Sequence, residues 1–343
     1  MDGTERLLAS DARIAVAGAG SIGCFIGGLL AHAGRRVTFL ARSHMVEELT
    51  AHGLHLTDFA KLDRRLTPAS LIVTDDPAAL ETAALILVTV KSGATKTMAS
   101  EIAMHGDPHA VVVSLQNGVD NLPALRGALP EMQVLGGIVG FNVVHMGEGR
   151  FHRGTSGKLV IEAGRDDVVS LLSAPGLDIE TAEDIAGAQW GKLLLNLNNA
   201  LNALSDLPLR QQLQNREWRR LAADQITEAL AVLKAAGIRP IAATPAPNRL
   251  LPAVLRLPDA LFRLGAGRML AIDPEARSSM WDDLMRRRPT EIGHLQGAIL
   301  RLAERHGVEA PLCARVAALV RQAEAAEAGP PGLTPEQVRG QIS

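Results

Sequence analysis

Residues Ala12–Gly23 read ARIAVAGAGSIG, and they dictate how the first half of this chain can fold. Arg13–Ala17 is a short apolar, β-rich run with the look of a buried strand. Gly18-x-Gly20-x-x-Gly23 follows at once, and a helical pattern runs from Cys24 to Ala33. Strand, glycine turn and helix in that order make up the dinucleotide-binding fingerprint. Gly18 permits the tight turn, Gly20 brings no Cβ to obstruct a pyrophosphate, and Gly23 lets the helix lie close on the strand. The phosphates would sit against N–H groups at the positive end of the helix. Gly18, Ala19, Gly20, Ser21, Ile22 and Gly23 are therefore the first candidate cofactor contacts.

At 343 residues the chain suits two domains. A net charge of -2 carries no basic excess for nucleic acid, and no polybasic cluster points to a membrane surface. No apolar run approaches the ~20 residues of a membrane span. The opening MDGTERLLASDAR is acidic and lacks the apolar core of a signal peptide. Cys24 and Cys313 stand far apart and outside any CxxC pair, which suits buried thiols in a reducing compartment. The expected location is the cytoplasm.

A second strand is predicted over Arg36–Ala41. NAD-selective sites place an acid at the end of this strand, where it bonds the ribose 2′-hydroxyl. Here Arg42-Ser43-His44 follows, with no acid until Glu47. An arginine suits a 2′-phosphate, so Arg42 points to NADP(H); the alternative is a solvated surface arginine. His55–Thr67 is mixed and polar, and Leu71–Thr74 reads as another strand. Ala84–Val90 is a continuous apolar run ending in Lys91-Ser92-Gly93, and Val111–Leu115 repeats the pattern, ending in Gln116-Asn117-Gly118. Both read as strands buried on two faces. Ligands bind at the carboxyl ends of such strands, which makes Lys91 and Asn117 candidates, although each also suits a plain turn. Val134–His145 and Lys158–Glu162 read as the last strands, and Asp178–Asp184 as a linker.

From Ile185 the strand pattern stops, and helical periodicity runs to about Ala326. Trp190–Leu204 is an apolar helix on which Lys192, Asn196 and Asn199 share one stripe. A desolvated lysine has a lowered pKa and can act as a general acid, whereas a lysine snorkelling from the helix start cannot. Pro289 suits the first turn of a later helix, whose apolar stripe would be Ile292, Leu295, Ile299 and Leu302. Glu291 would flank that stripe, half-buried, with Lys192 as its candidate partner. The Pro/Gly-rich tail from Gly329 reads as loose.

GAGSIG, Val90-Lys91-Ser92, Gln116-Asn117-Gly118, Trp190-Gly191-Lys192 with Asn196, Ser278-Ser279-Met280 and Arg288-Pro289-Thr290-Glu291-Ile292 occur in that order. In these motifs, between Arg13 and Val320, the chain resembles the ketopantoate reductase (2-dehydropantoate 2-reductase) family of the 6-phosphogluconate dehydrogenase-like superfamily. The resemblance implies an α/β Rossmann-type N-terminal domain and a second, all-α C-terminal domain. We place an NADP-binding domain at 12–183, a helical substrate domain at 184–326 and a tail at 327–343. It further implies hydride transfer from NADPH to the C2 carbonyl of a branched 2-oxo acid, in pantothenate synthesis. Carried over by motif, Lys192 is the general acid, and Glu291 orients it and contacts the nicotinamide side. Asn117, Asn196, Asn199 and Ser279 hold substrate; Arg42 meets the 2′-phosphate, with Lys91 and Asn117 nearby on the cofactor. No metal is implied, and a homodimer is the candidate assembly.

The chain also departs from the family. Where the family often has an asparagine eight residues after the lysine, this sequence has Ala200, next to Asn199. A further family asparagine is missing near Arg210, and Pro240–Asp273 is long enough to cover the site. A different 2-oxo acid or ketone is therefore the first alternative substrate. A non-catalytic NADP(H) sensor is the second alternative, and the Lys192–Glu291 pair counts against it.

Overall fold

The computed structural model describes residues 7–244, 247–265 and 273–340. It divides into two compact units, Met1–Ile185 and Ala186–Ser343. The first unit is built on an eight-stranded sheet. Its strands are β1 (Arg13–Ala17), β2 (Arg36–Leu40), β5 (Ile72–Thr74), β6 (Leu85–Val88), β7 (Val111–Ser114), β8 (Gln133–Val139), β11 (Leu159–Glu162) and β12 (Ile179–Ala182), in the order β12-β11-β8-β7-β6-β1-β2-β5. All neighbours pair in parallel except β11 and β8. The apolar runs that form β6 and β7 are buried at every position, as a parallel sheet covered on both faces requires. Helices α1 (Ser21–His32), α2 (Ser43–His52), α3 (Thr95–His105), α4 (Asn121–Ala128) and α5 (Asp166–Leu172) complete the unit.

The polar stretch after α2 is not irregular. β3 (Leu54–Asp58) and β4 (Asp63–Leu66) join β9 (Val143–Gly147) and β10 (Arg150–Arg153) in a four-stranded sheet ordered β4-β3-β10-β9. This corrects the expectation that Val134–His145 is one strand of the main sheet: β8 ends at Val139, and the glycine-rich hairpin belongs to the smaller sheet. The expected linker at Asp178–Asp184 is also corrected. Ile179–Ala182 is edge strand β12, in parallel register with Leu159–Glu162.

Among the described residues, the second unit is helical. It comprises α6 (Ile185–Asn196), α7 (Asn198–Ser205), α8 (Leu209–Gln214), α9 (Arg216–Ala235), α10 (Leu251–Arg256), α11 (Asp259–Gly265), α12 (Ser279–Met285), α13 (Gln296–His306), α14 (Pro311–Ala326) and α15 (Pro335–Arg339). Long α9 buries Trp218, Leu221, Ile226 and Val232 in its core. The helix predicted from Pro289 begins later, at Gln296, because residues 288–295 form an extended stretch and a turn in which Leu295 N–H bonds Glu291 O. The stripe Ile292, Leu295, Ile299 and Leu302 is buried as predicted. The tail is docked, not loose: Val338 is fully buried, and Arg315 donates to the carbonyls of Gln337 and Val338. Residues 245–246 and 266–272 of the long Pro240–Asp273 segment lie outside the described residues.

Candidate active site

In the first unit, the candidate residues collect along the carboxyl edge of four neighbouring strands, β2, β1, β6 and β7. The chain leaves β1 toward β2 on one side and reaches β6 on the other, so the crevice that suits a dinucleotide opens at β1. Gly18 has φ +103, and a Cβ there would lie 2.4 Å from Val90 Cγ1. At Gly23 it would lie 2.7 Å from Val16 Cγ1, which is the close helix-on-strand contact expected of that glycine. Gly20 differs: its nearest neighbour would be Gly18 O at 3.9 Å, so the space beside it is open. Gly20 is also the N-cap of α1 and offers no side-chain cap to the helix's first N–H groups. Open space and uncapped donors at one helix start fit a pyrophosphate.

Arg42 caps the start of α2 and is exposed; it makes no ion pair with a described residue. Lys91 and Asn117 follow β6 and β7 and are held by a polar network that the apolar runs conceal in the sequence. Gln116 Nε2 donates to Val90 O (3.0 Å) and Thr95 Oγ1 (2.7 Å). Thr95 Oγ1 donates to Asn121 Oδ1 (2.8 Å), and Asn121 Nδ2 donates to Ser92 Oγ (2.9 Å) and Asn117 O (2.5 Å). Thr89 Oγ1 donates to Gly18 O at 2.7 Å. The loops after β6 and β7 are thereby cross-tied to each other and to the glycine turn. Satisfied buried networks of this kind hold one geometry.

In the second unit, Lys192, Asn196 and Asn199 are half-buried, while their neighbours Leu193, Leu194, Leu197 and Ala200 are buried. Leu195 and Asn198 are half-buried as well, and the helix is interrupted at Leu197 between α6 and α7. Lys192 keeps part of its surface accessible while losing much of its hydration. Loss of water pushes its pKa down from 10.5 to about 8, and the nearby Glu291 carboxylate opposes that shift. Glu291 is therefore close enough to Lys192 to act on it electrostatically. Gly191 has its own reason: the backbone of Ile241 crosses α6 there, donating to Gly187 O at 2.8 Å. A Cβ on Gly191 would fall 1.7 Å from Ile241 O.

Two more amides build this face without belonging to the predicted set. Asn202, fully buried, accepts from Ser278 N at 2.8 Å, while Ser278 Oγ donates to Asn199 O at 3.0 Å. These bonds tie Ser278, the N-cap of α12, to α7, and the exposed Ser279 follows as the first residue of α12. Gln296, also fully buried, donates to Leu197 O at 2.9 Å, at the joint between α6 and α7. In the sequence, Asn202 was visible as one more amide three residues beyond Asn199. Gln296 had no such signal. Among the described residues no cluster of His, Cys, Asp and Glu could hold a metal ion, and no helix is long and apolar enough to cross a membrane.

The chain is similar to known proteins along most of its length. Residues 14–166 match the family model described as ketopantoate reductase PanE/ApbA, and residues 184–324 match that of its C-terminal part. A 2-dehydropantoate 2-reductase of Halobacterium salinarum is 27% identical over 323 residues, covering 91% of this chain and 99% of its own length. The corresponding protein of Archaeoglobus fulgidus is 28% identical over 322 residues, covering 91% and 98%. The crystal structure of a PanE/ApbA family ketopantoate reductase from Ralstonia eutropha JMP134 is similar with a TM-score of 0.78 at 32% identity, covering 92% of this chain and 99% of that one. D-mandelate dehydrogenase, solved with NADH and anilino(oxo)acetate, shares the fold at 20% identity and a TM-score of 0.74, covering 92% and 99%. Glycine turn, strand-end polar residues and lysine–glutamate pair thus sit in a chain matched along most of its length: it belongs to the ketopantoate reductase family of pyridine-nucleotide-dependent oxidoreductases acting on CH–OH groups.

Proposed function

We propose that this protein reduces ketopantoate to pantoate with NADPH, as a step of pantothenate synthesis. The observation that carries the reading is the desolvated Lys192 ammonium, lowered to about 8 and accompanied by Glu291. Bound NADPH supplies a hydride to the C2 carbonyl carbon. The carbonyl oxygen then gains negative charge, which Lys192 stabilises before giving up its proton to form the hydroxyl. Glu291 keeps that amine protonated and aimed. Asn117, Asn196 and Asn199 offer amide donors and acceptors to the substrate, and Ser279 adds a hydroxyl. The glycine turn would hold the pyrophosphate and Arg42 the 2′-phosphate, with Lys91 on the cofactor nearby. A homodimer is the expected assembly, measured by light scattering.

The test is an assay of the purified protein with NADPH and ketopantoate, read as loss of reduced nicotinamide absorbance. Turnover is expected, and Lys192→Ala abolishes it by about 10²-fold or more while NADPH binding survives. Normal turnover by that variant would rule out the proton-donor role.

A second substrate is favoured by two observations. Ala200 is fully buried, so that position offers nothing to a ligand, and Arg210 is exposed on α8 without an ion pair to a described residue. A panel of 2-oxo acids and ketones decides: faster turnover of a compound lacking the pantoyl hydroxyl would replace ketopantoate as substrate.

A further inference from the structure

Strands β2 and β5 pair in parallel, with Leu40 opposite Thr74, and Ala41 N–H continues the ladder to Thr74 O at 2.9 Å. The residues that follow the two strands therefore emerge side by side on the carboxyl edge. After β2 these are Arg42 and Ser43; after β5 the first is Asp75. Ser43 Oγ donates to Asp75 Oδ2 at 2.7 Å. The sequence shows no acid close after β2, yet the fold delivers one from a strand thirty-two residues further on. All three residues are exposed. The Asp75 carboxylate carries no ion-pair partner among the described residues, and Arg42, next in the chain to Ser43, carries none either.

We propose that Asp75 is a second determinant of cofactor choice, tempering the preference of Arg42 for a 2′-phosphate and admitting a dinucleotide with an unmodified 2′-hydroxyl. This rests on the NADPH reading given above. Two effects act in the same direction. The carboxylate repels a phosphate dianion but accepts a bond from a ribose hydroxyl. It also engages the proton of Ser43, so that hydroxyl faces the ligand as an acceptor, which suits another hydroxyl and not a phosphate. Arg42 pulls the other way, through charge-assisted bonds to phosphate. The expected outcome is NADPH preferred over NADH by a modest margin.

The test measures dissociation constants for NADPH and NADH by nucleotide fluorescence, independently of turnover, for the wild type, Asp75→Asn, Ser43→Ala and Arg42→Ala. Asp75→Asn is expected to raise the NADPH:NADH affinity ratio about fivefold, from loss of one charge in a solvated setting. That gain shrinks at high salt, since the effect is Coulombic and exposed. Ser43→Ala, which keeps the carboxylate, changes the ratio less than Asp75→Asn. Arg42→Ala lowers the ratio by about tenfold. A ratio unmoved by Asp75→Asn while Arg42→Ala lowers it overturns the role of Asp75 alone. A ratio unmoved in both variants overturns the Arg42 assignment as well. Because all three side chains are exposed, thermal melts of the variants serve as the folding control.

Discussion

Lys192 meets two demands that oppose each other. As the proposed proton donor it must be charged, and as a desolvated side chain it is stabilised by losing that charge. With its pKa lowered to about 8, kcat/KM is expected to be level below that pH and to fall about tenfold per unit above it. A rate–pH profile with NADPH saturating checks this. Stability moves in the reverse sense. The folded-state pKa lies below the unfolded value of 10.5, so the unfolded chain holds more protons between about 8 and 10.5. Across that window the contribution of Lys192 to stability rises with pH. Compared with Lys192→Met by urea unfolding, the wild type should gain about 2 kcal/mol between pH 7.5 and pH 10. No relative gain would mean that the ammonium keeps its water. Arg42→Ala is expected to raise KM for NADPH about tenfold and to leave kcat within about twofold, because a phosphate contact far from the reacting carbon is uniform binding.

At the scale of elements, α6 depends on what crosses it. Ile241 lies against Gly191, and any side chain there must displace the crossing segment. Gly191→Ala is therefore expected to cost about 1–3 kcal/mol, measured by thermal melting, and to lower kcat because Lys192 is the next residue. Gln296 ties the start of α13 to the α6–α7 joint. Gln296→Leu leaves the Leu197 carbonyl without that amide and is expected to lower kcat about tenfold with NADPH affinity unchanged. These elements also show what a sequence can and cannot reveal. The strand–glycine–helix start and the buried strands β6 and β7 were legible, because periodicity and glycine placement are local properties. The start of α13 was not: Pro289 suits a helix start, but Arg287 adopts φ +51 and a turn over residues 292–295 precedes the helix. Edge strand β12 was misread as a linker because its four residues, Ile179–Ala182, carry no buried run. Asp75 and Gln296 were invisible as site residues, since only the fold brings them near their partners.

At the scale of the whole molecule, the C-terminal segment acts as a strap on the second unit. Leu333 N–H bonds Leu204 O, Arg339 pairs with Asp224 on α9, and Val338 is fully buried. Burying a valine contributes about 1.5–3 kcal/mol. Deleting residues 327–343 is therefore expected to lower Tm by about 5 °C, read by calorimetry. The first unit is interleaved in a different way. Its small sheet pairs β3 with β10, and Thr57 meets His152 across a separation of 95 residues. During synthesis, β3 waits with an open edge until those later residues leave the ribosome, and it closes slowly because so long a loop must be gathered in. A shortened protein ending before Val143 would carry that raw edge permanently, so the nucleotide-binding half is best produced uncut through Ile185.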